Sequence, residues 1–174
     1  MHARIGATFL ALGLAFTAAP AQSAEKLTDP QIAHIAYTAG DLDIKAAQLA
    51  LKISKNADVL AFANNMVSDH TAVNDQALAL LKKLNVTPED NDVSKGIVKQ
   101  SGEEQAKLAK LSGAAFDKAY AANELAYHQM VNEALEKTLI PGTSNAELKD
   151  LLSTGLKIFK GHQEHAAMLV KMFP

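Results

Sequence analysis

The sequence predicts an all-α protein: a bundle of about four helices, with a longer crossover between the second and the third. Three observations lead there. Apolar residues recur at three- and four-residue steps through four long stretches, which places them on one face of a helix. The prolines lie outside those stretches, and no segment alternates apolar and polar residues with the period of a strand. Two helix pairs joined by a longer connection bury their apolar stripes most simply as a four-helix bundle.

The first element is a leader rather than a helix of the bundle. Met1–Arg4 carry one strong positive charge, Ile5–Ala19 are uncharged and rich in Ala, Leu and Phe, and Ala19-Pro20-Ala21 has the small-x-small spacing read by signal peptidase. Cleavage is expected after Ala21 or after Ala24. Residues 1–24 are therefore read as a secretory signal peptide, and 25–174 as a single bundle domain exported to the periplasm, free there or associated with the envelope. The apolar run is shorter than a transmembrane helix requires, and no later segment is apolar for long enough.

Helix one is expected to open at Thr28-Asp29-Pro30, a capping side chain followed by an early proline. Its stripe is Ile35, Ala39, Leu42, Ala46, Leu49 and Ile53, and Asn56 and Asp58 mark the break after it. Helix two is expected over about 58–84, with Val59, Phe62, Met66, Val73, Ala77, Leu80 and Leu84 on one stripe, ended by Asn85-Val86-Thr87-Pro88. The polar stretch 89–99 reads as a crossover loop or as a short helix opening at Ser94. Helix three covers about 102–138, with a bend near Ser112-Gly113, and Ile140-Pro141-Gly142 breaks it. Helix four spans about 144–172, with Ser144 and Glu147 forming a capping box.

Composition narrows the function. The chain has no cysteine, so its stability comes from packing even where disulfides are permitted. The leader holds Arg4 and no acid, so its removal takes the net charge from −2 to about −3. That bias is too weak to imply nucleic acid or an anionic membrane as partner. Scarce aromatics and the absence of tryptophan argue against a base-stacking or sugar-binding surface.

The histidines carry the functional information. His70 interrupts the stripe of helix two between Met66 and Val73, His162 continues the stripe of helix four, and His128 shares a face of helix three with Glu124 one turn earlier. Three helices thus each aim an imidazole at the interior. Inward-facing imidazoles and carboxylates on facing helices are how bundles hold metal ions. Asp43 of helix one and Asp69 beside His70 are further oxygen donors, although Asp69 and Glu124 have the spacing of ordinary helix-surface acids. Counted down from the connections at ~1.5 Å per residue, Asp43, His70 and His128 lie roughly 15–20 Å deep, whereas His162 falls about 26 Å down. By the same count His34 and His165 share a lower level, either as a second pair or as partly exposed residues near helix ends. Met66, Met130, Met168 and Met172 read as core filler rather than as a copper(I) box. There is no Glu-x-x-His pair, phosphate-binding glycine loop, nucleophile elbow or zincin motif, so no catalytic residue is assigned.

Three ordered segments resemble a known family. Phe62-Ala63-Asn64-Asn65-Met66-Val67-Ser68-Asp69-His70, followed by Asn74, is similar to a signature of the exported bacterial family called domain of unknown function 4142. The likeness continues in Phe116-Asp117-Lys118-Ala119-Tyr120 and Glu124-Leu125-Ala126-Tyr127-His128. It ends in Phe159-Lys160-Gly161-His162-Gln163-Glu164-His165-Ala166, so that it spans about 30–171. The resemblance implies a ferritin-like four-helix bundle, periplasmic and sometimes described as an outer-membrane protein, without a settled activity. Its recurrent histidines fall on His70, His128 and His162. Many members carry Glu in helix one where this chain has Asp43, whose reach is shorter.

Two readings follow. In the first, His70, His128 and His162, with Glu124 or Asp43, bind a transition metal: Zn, Cu, Fe or Ni. In the second, the protein is a structural or stress-related envelope component, and the same imidazoles form a buried hydrogen-bond network. A third, acid–base catalysis by His128 and Glu124, has less behind it. No protein partner is identified.

Overall fold

The computed structural model describes residues 26–173; the expected leader with its expected cleavage sites, and Pro174, lie outside the described residues. Helix α1 covers Asp29–Ile53, α2 Ala57–Leu84, α3 Asp92–Leu108 and α4 Gly113–Ala134. Helix α4 continues through a π-helical turn, Leu135–Leu139, into the three-residue α5, Ile140–Gly142, and α6 covers Ala146–Met172. No strand occurs among the described residues, and none of their helices is long and apolar enough to cross a membrane. The fold is an all-α bundle, as expected.

Local chemistry explains most boundaries. Thr28 caps α1 through a reciprocal pair with Gln31: each side chain accepts the other residue's backbone N–H. Asn56 accepts the N–H groups of Asp58 and Val59 to start α2, and Asn85 ends it in the left-handed conformation at φ 53°. Of the two readings of 89–99, loop or short helix, the chain is helical, opening at Asp92 rather than at Ser94 and running to Leu108. Asn91 accepts the Ser94 N–H at 3.0 Å and donates its own N–H to the Ser94 hydroxyl at 3.2 Å, so Ser94 closes a capping box rather than opening the helix. The expected third helix of 102–138 is two helices. Between them the chain turns at Gly113, whose φ of +55° is a conformation that glycine adopts at little cost.

Two further expectations are corrected. Asn145, not Ser144, caps α6, by accepting the Leu148 N–H at 3.0 Å, while Glu147 reaches across to Lys83. The N–H groups of Ser144 and Asn145 instead donate to the two oxygens of Asp29, both at 2.8 Å. Ile140-Pro141-Gly142 does not break the helix outright. Proline lacks the N–H that would bond the carbonyl four residues back, and the chain rewinds through the π turn just before it.

Helices α1, α2, α4 and α6 form the bundle, with α1 packed along α2 and α4 along α6. Helix α3 is the crossover; it runs over α1, where the Gln105 side-chain amide donates to the Leu42 carbonyl at 3.1 Å. The chain therefore returns to its first end before α4 begins. There the Ser54 hydroxyl, in the α1–α2 turn, donates to Asp117 on the first turn of α4 at 2.6 Å. At the other end, the start of α1 meets the α2–α3 loop through the Glu89 N–H and the Pro30 carbonyl at 3.2 Å, and meets the start of α6 through Asp29. The order is up, down, down, up.

This topology corrects the depth count. The α1–α2 turn and the connection into α6 lie at opposite ends, so depth in α6 runs from Met172 rather than from Asn145. From the first end, at ~1.5 Å per residue, Asp43, His70, His128 and His162 all fall within roughly 15–23 Å. The same change separates His34 from His165. His34 lies on the second turn of α1, at the far end, whereas the His165 ring meets Phe62 edge-on at 5.1 Å near the first end. They form no pair.

Two apolar clusters fill the ends of the bundle. One gathers Phe62, Met66, Phe116 and Tyr120; the other gathers Ile32, Leu81, Leu135, Leu148 and Phe159. Between them lies a level of buried polar side chains.

Two glycines test the backbone argument with opposite signs. A methyl group at Gly113 would touch nothing within 4 Å, so Gly113→Ala isolates the strain of the left-handed turn and should cost about 1 kcal/mol. Gly102 lies inside α3 with equally open surroundings, and Gly102→Ala should stabilise by about 0.5–1 kcal/mol. Thermal melts of the two variants should move in opposite directions.

Candidate metal centre

The polar level is built from all four bundle helices. Asp43 comes from α1, His70 from α2, Glu124 and His128 from successive turns of α4, and His162 from α6. All five are buried, from 0% exposure at Glu124 to 7% at His162. One ring nitrogen each of His70, His128 and His162 lie within 4.8 Å of one another. Donor atoms of Asp43, Glu124 and His128 form a second group within the same span, so His128 belongs to both. The structure thus brings Asp43, His70, Glu124, His128 and His162 together, while Asp69, the other oxygen donor considered, lies outside the cluster.

The rings are held from behind. His128 Nδ1 lies 3.0 Å from the Glu124 backbone carbonyl, one turn back in α4; as a donor there it leaves Nε2 buried with no hydrogen-bond partner. His162 Nε2 meets Asp69 at 2.9 Å, which leaves Nδ1 buried and without a partner. In each case an acceptor on one nitrogen fixes the tautomer and frees the other nitrogen as a lone-pair donor, the arrangement typical of metal-ligating histidine. His70 is held differently. Its ring stacks on Phe159 at 4.4 Å and 9°, and its Nε2 lies 3.0 Å from Asp43 Oδ2 without the alignment of a hydrogen bond. The three imidazole centroids stand 5.3–5.7 Å apart.

Asp69 is therefore a positioning residue. Its side chain is 45% exposed and touches His162 from outside. Two other contributors, Phe159 and Tyr120, stand out less in the sequence because both read as core. Tyr120 occupies the turn of α4 before Glu124, and its buried hydroxyl has no partner. The available signal was its four-residue spacing from Glu124, on the face that carries His128.

The carboxyl groups divide one proton. Burial pushes the Asp43 carboxyl up, but His70 beside it and His128 beyond outweigh that and hold it at about 2. Burial, then the negative charge of Asp43, drives Glu124 well above the usual carboxylate range. The two shifts run in opposite directions, so Glu124 keeps its proton to higher pH than Asp43, as expected of two carboxyls confined in a dry site. Burial lowers His128 and His162, so both imidazoles are neutral near pH 7, the form that binds metal. Burial also raises the Tyr120 hydroxyl well above its usual range. On the outer flank, Asp43 and Glu124 line a cleft of about 630 Å³ between α1, α3 and α4.

Comparison with protein families now has a structure behind it. The family described as domain of unknown function (DUF4142) has a sequence model that matches residues 15–169. The chain belongs to that family. The matched span contains all five buried ligand candidates. Neither the curated proteins nor the solved structures contain a match.

The raised Glu124 carboxyl has a consequence for stability. Its folded form binds a proton more tightly than the unfolded chain does, with an ordinary value of 4.5. Stability from this group is complete below pH 4.5 and falls away as the pH rises from there toward the folded value. Glu124→Gln keeps the shape and cannot titrate. In metal-free protein, the melting temperature of the wild type should therefore fall relative to Glu124→Gln as the pH is raised from 4.5 to 8. The lowered imidazoles act in the opposite direction but are common to both proteins, so parallel curves would contradict the assignment.

Proposed function

We propose that this protein is exported to the periplasm and binds a transition-metal ion there, with His70, His128 and His162 as nitrogen ligands and Asp43 and Glu124 as oxygen donors. The observation that supports it is the set of buried ring nitrogens on three helices, each without a hydrogen-bond partner, lying close to two buried carboxyl groups. A buried polar atom left unsatisfied costs about 1–3 kcal/mol, and a single ion satisfies several at once. Two donors ~2.1 Å from a shared ion stand at most ~4.2 Å apart, so a span within 4.8 Å needs only small side-chain rotations. Binding would displace the Glu124 proton, so affinity should rise with pH. Imidazole mixed with carboxylate suits Zn, Cu(II), Fe or Ni.

The competing reading is a structural hydrogen-bond network. It requires the imidazoles to satisfy one another, and the ring nitrogens without partners count against it. Export rests on the leader pattern of residues 1–24.

Elemental analysis of the mature protein, purified without an affinity tag, decides between the two. Near-stoichiometric metal is expected in the wild type and none in a His70→Ala/His128→Ala double variant, and added metal should raise the melting temperature of the wild type alone. No metal, with no thermal shift on adding Zn, Cu, Ni or Fe, would leave the structural reading. The periplasmic form should begin at residue 22 or 25 on N-terminal sequencing.

A further inference from the structure

The flank of the polar level away from the carboxyl groups is of a different character. A cavity of about 250 Å³ runs from His70 and His128 into the second apolar cluster, between α1, α2, α4 and α6. Five alanines and two glycines line it, at positions where bundle cores ordinarily carry larger aliphatic side chains. Protein interiors are close-packed, and a void costs stability in proportion to its volume. Small residues on four helices therefore hold this one open.

Its polar groups are few. The Tyr127 hydroxyl, on its wall, already donates to the Ala39 carbonyl at 2.9 Å, and the Asn74 amide donates to the Tyr37 carbonyl at 3.3 Å. That leaves the imidazole end, where His70 Nδ1 lacks a partner while Nε2 faces Asp43. A buried water needs two to four polar partners, which the aliphatic part of the cavity does not offer. Val93 and Ile97 of α3 form part of the rim, and Val93 is 48% exposed, so the cavity approaches the surface beside the crossover helix.

We propose that this cavity is a binding site for a small, uncharged, largely apolar molecule, with its one polar atom at His70 and its apolar body among Leu135, Leu152 and their neighbours. An engineered apolar cavity of about 150 Å³ accepts benzene. A volume of about 250 Å³ suits a molecule of about ten heavy atoms, such as a bicyclic aromatic or a short aliphatic alcohol. The site stands on the shape of the cavity and does not require an ion; where an ion is bound, it brings the molecule next to it.

The test uses the mature chain stripped of metal, so that its outcome is separate from that of the metal reading. Calorimetric titration with 2-naphthol should show saturable one-site binding, accompanied by shifts of the His70 and His128 imidazole signals in NMR spectra. Naphthalene should bind about fivefold more weakly, for want of the hydrogen bond. Ala36→Leu and Ala134→Leu fill the cavity from two different helices, and whichever of them folds should lose at least tenfold in affinity. Unchanged 2-naphthol affinity in a folded, filled variant would place the binding elsewhere and overturn the proposal. So would the lack of saturable binding by the wild type up to the solubility limit of the probe.

Discussion

Placing Asp43, His70, Glu124, His128 and His162 at one level of the bundle removes five ionisable groups from water, and a buried polar group without a partner costs a few kcal/mol. The rest of the molecule is arranged around that cost. Protons are distributed so that few net charges remain: Asp43 is ionised, Glu124 holds its proton, and burial keeps His128 and His162 neutral. The outward-facing nitrogens of His128 and His162 are satisfied by a backbone carbonyl and by Asp69. The opposing stabilisation comes from the apolar clusters on either side, where each large side chain fully buried contributes about 1.5–3 kcal/mol. What is left uncompensated is concentrated at the centre, in ring nitrogens with no partner.

The crossover helix sets the direction of α4. If α4 followed α2 through a short turn, it would start at the far end and run antiparallel to α2. Helix α3 carries the chain back, so that α4 descends from the first end, parallel to α2 and packed against α6 and α1. His70 and His128 then stand at comparable depth on parallel helices, while Asp43 and His162 meet them from the two ascending ones. Helix α3 also sets access. It lies over one side of the bundle, with the carboxyl-lined cleft along one of its flanks and the rim of the apolar cavity along another.

Much of this was legible in the sequence. The fold class and the limits of α1 and α2 follow from apolar spacing and capping residues, and His70 and His162 follow from imidazoles on apolar stripes; His128 and Glu124 follow from their four-residue spacing, and Asp43 enters only as a further oxygen donor. Capping chemistry was read less well where two candidates stood side by side. Asn91 and Ser94 form a reciprocal pair inside a polar stretch that fits a loop or a short helix equally, and Ser144 stands three residues before Glu147, the spacing of a capping box, although Asn145 makes the cap. Depth was misread for a different reason. A helical stripe says which face is buried but not which end of the bundle the helix enters, and that is fixed by contacts far apart in sequence, such as Ser54 with Asp117 and Asp29 with Ser144. The contact of Phe159 with the His70 ring is hidden because an aromatic on an apolar stripe looks the same whether it fills the core or backs a site.

The short acid on α1 shows how backbone spacing and side-chain length act together. Aspartate reaches about one methylene less far than glutamate, so a ligand at residue 43 requires α1 to lie close to the helices it faces. It does. One turn before Asp43, a methyl group added at Gly40 would come within 2.5 Å of Asn74 Oδ1 on α2, and Ala39, Ala46 and Ala47 continue the run of small buried residues around it. The Asn74 amide occupies the space that Gly40 leaves and bonds the Tyr37 carbonyl, which fixes the approach of the two helices. With the backbones drawn together at that level, the Asp43 carboxylate comes within 3.0 Å of His70 Nε2. A glutamate in the same place would have to fold its extra methylene into a closely packed layer or push α1 outward, and overpacking of that kind typically costs 1–3 kcal/mol. Gly40, Asn74 and Asp43 therefore act as one unit: the glycine permits the approach, the amide holds it, and the short carboxylate fits the distance that results.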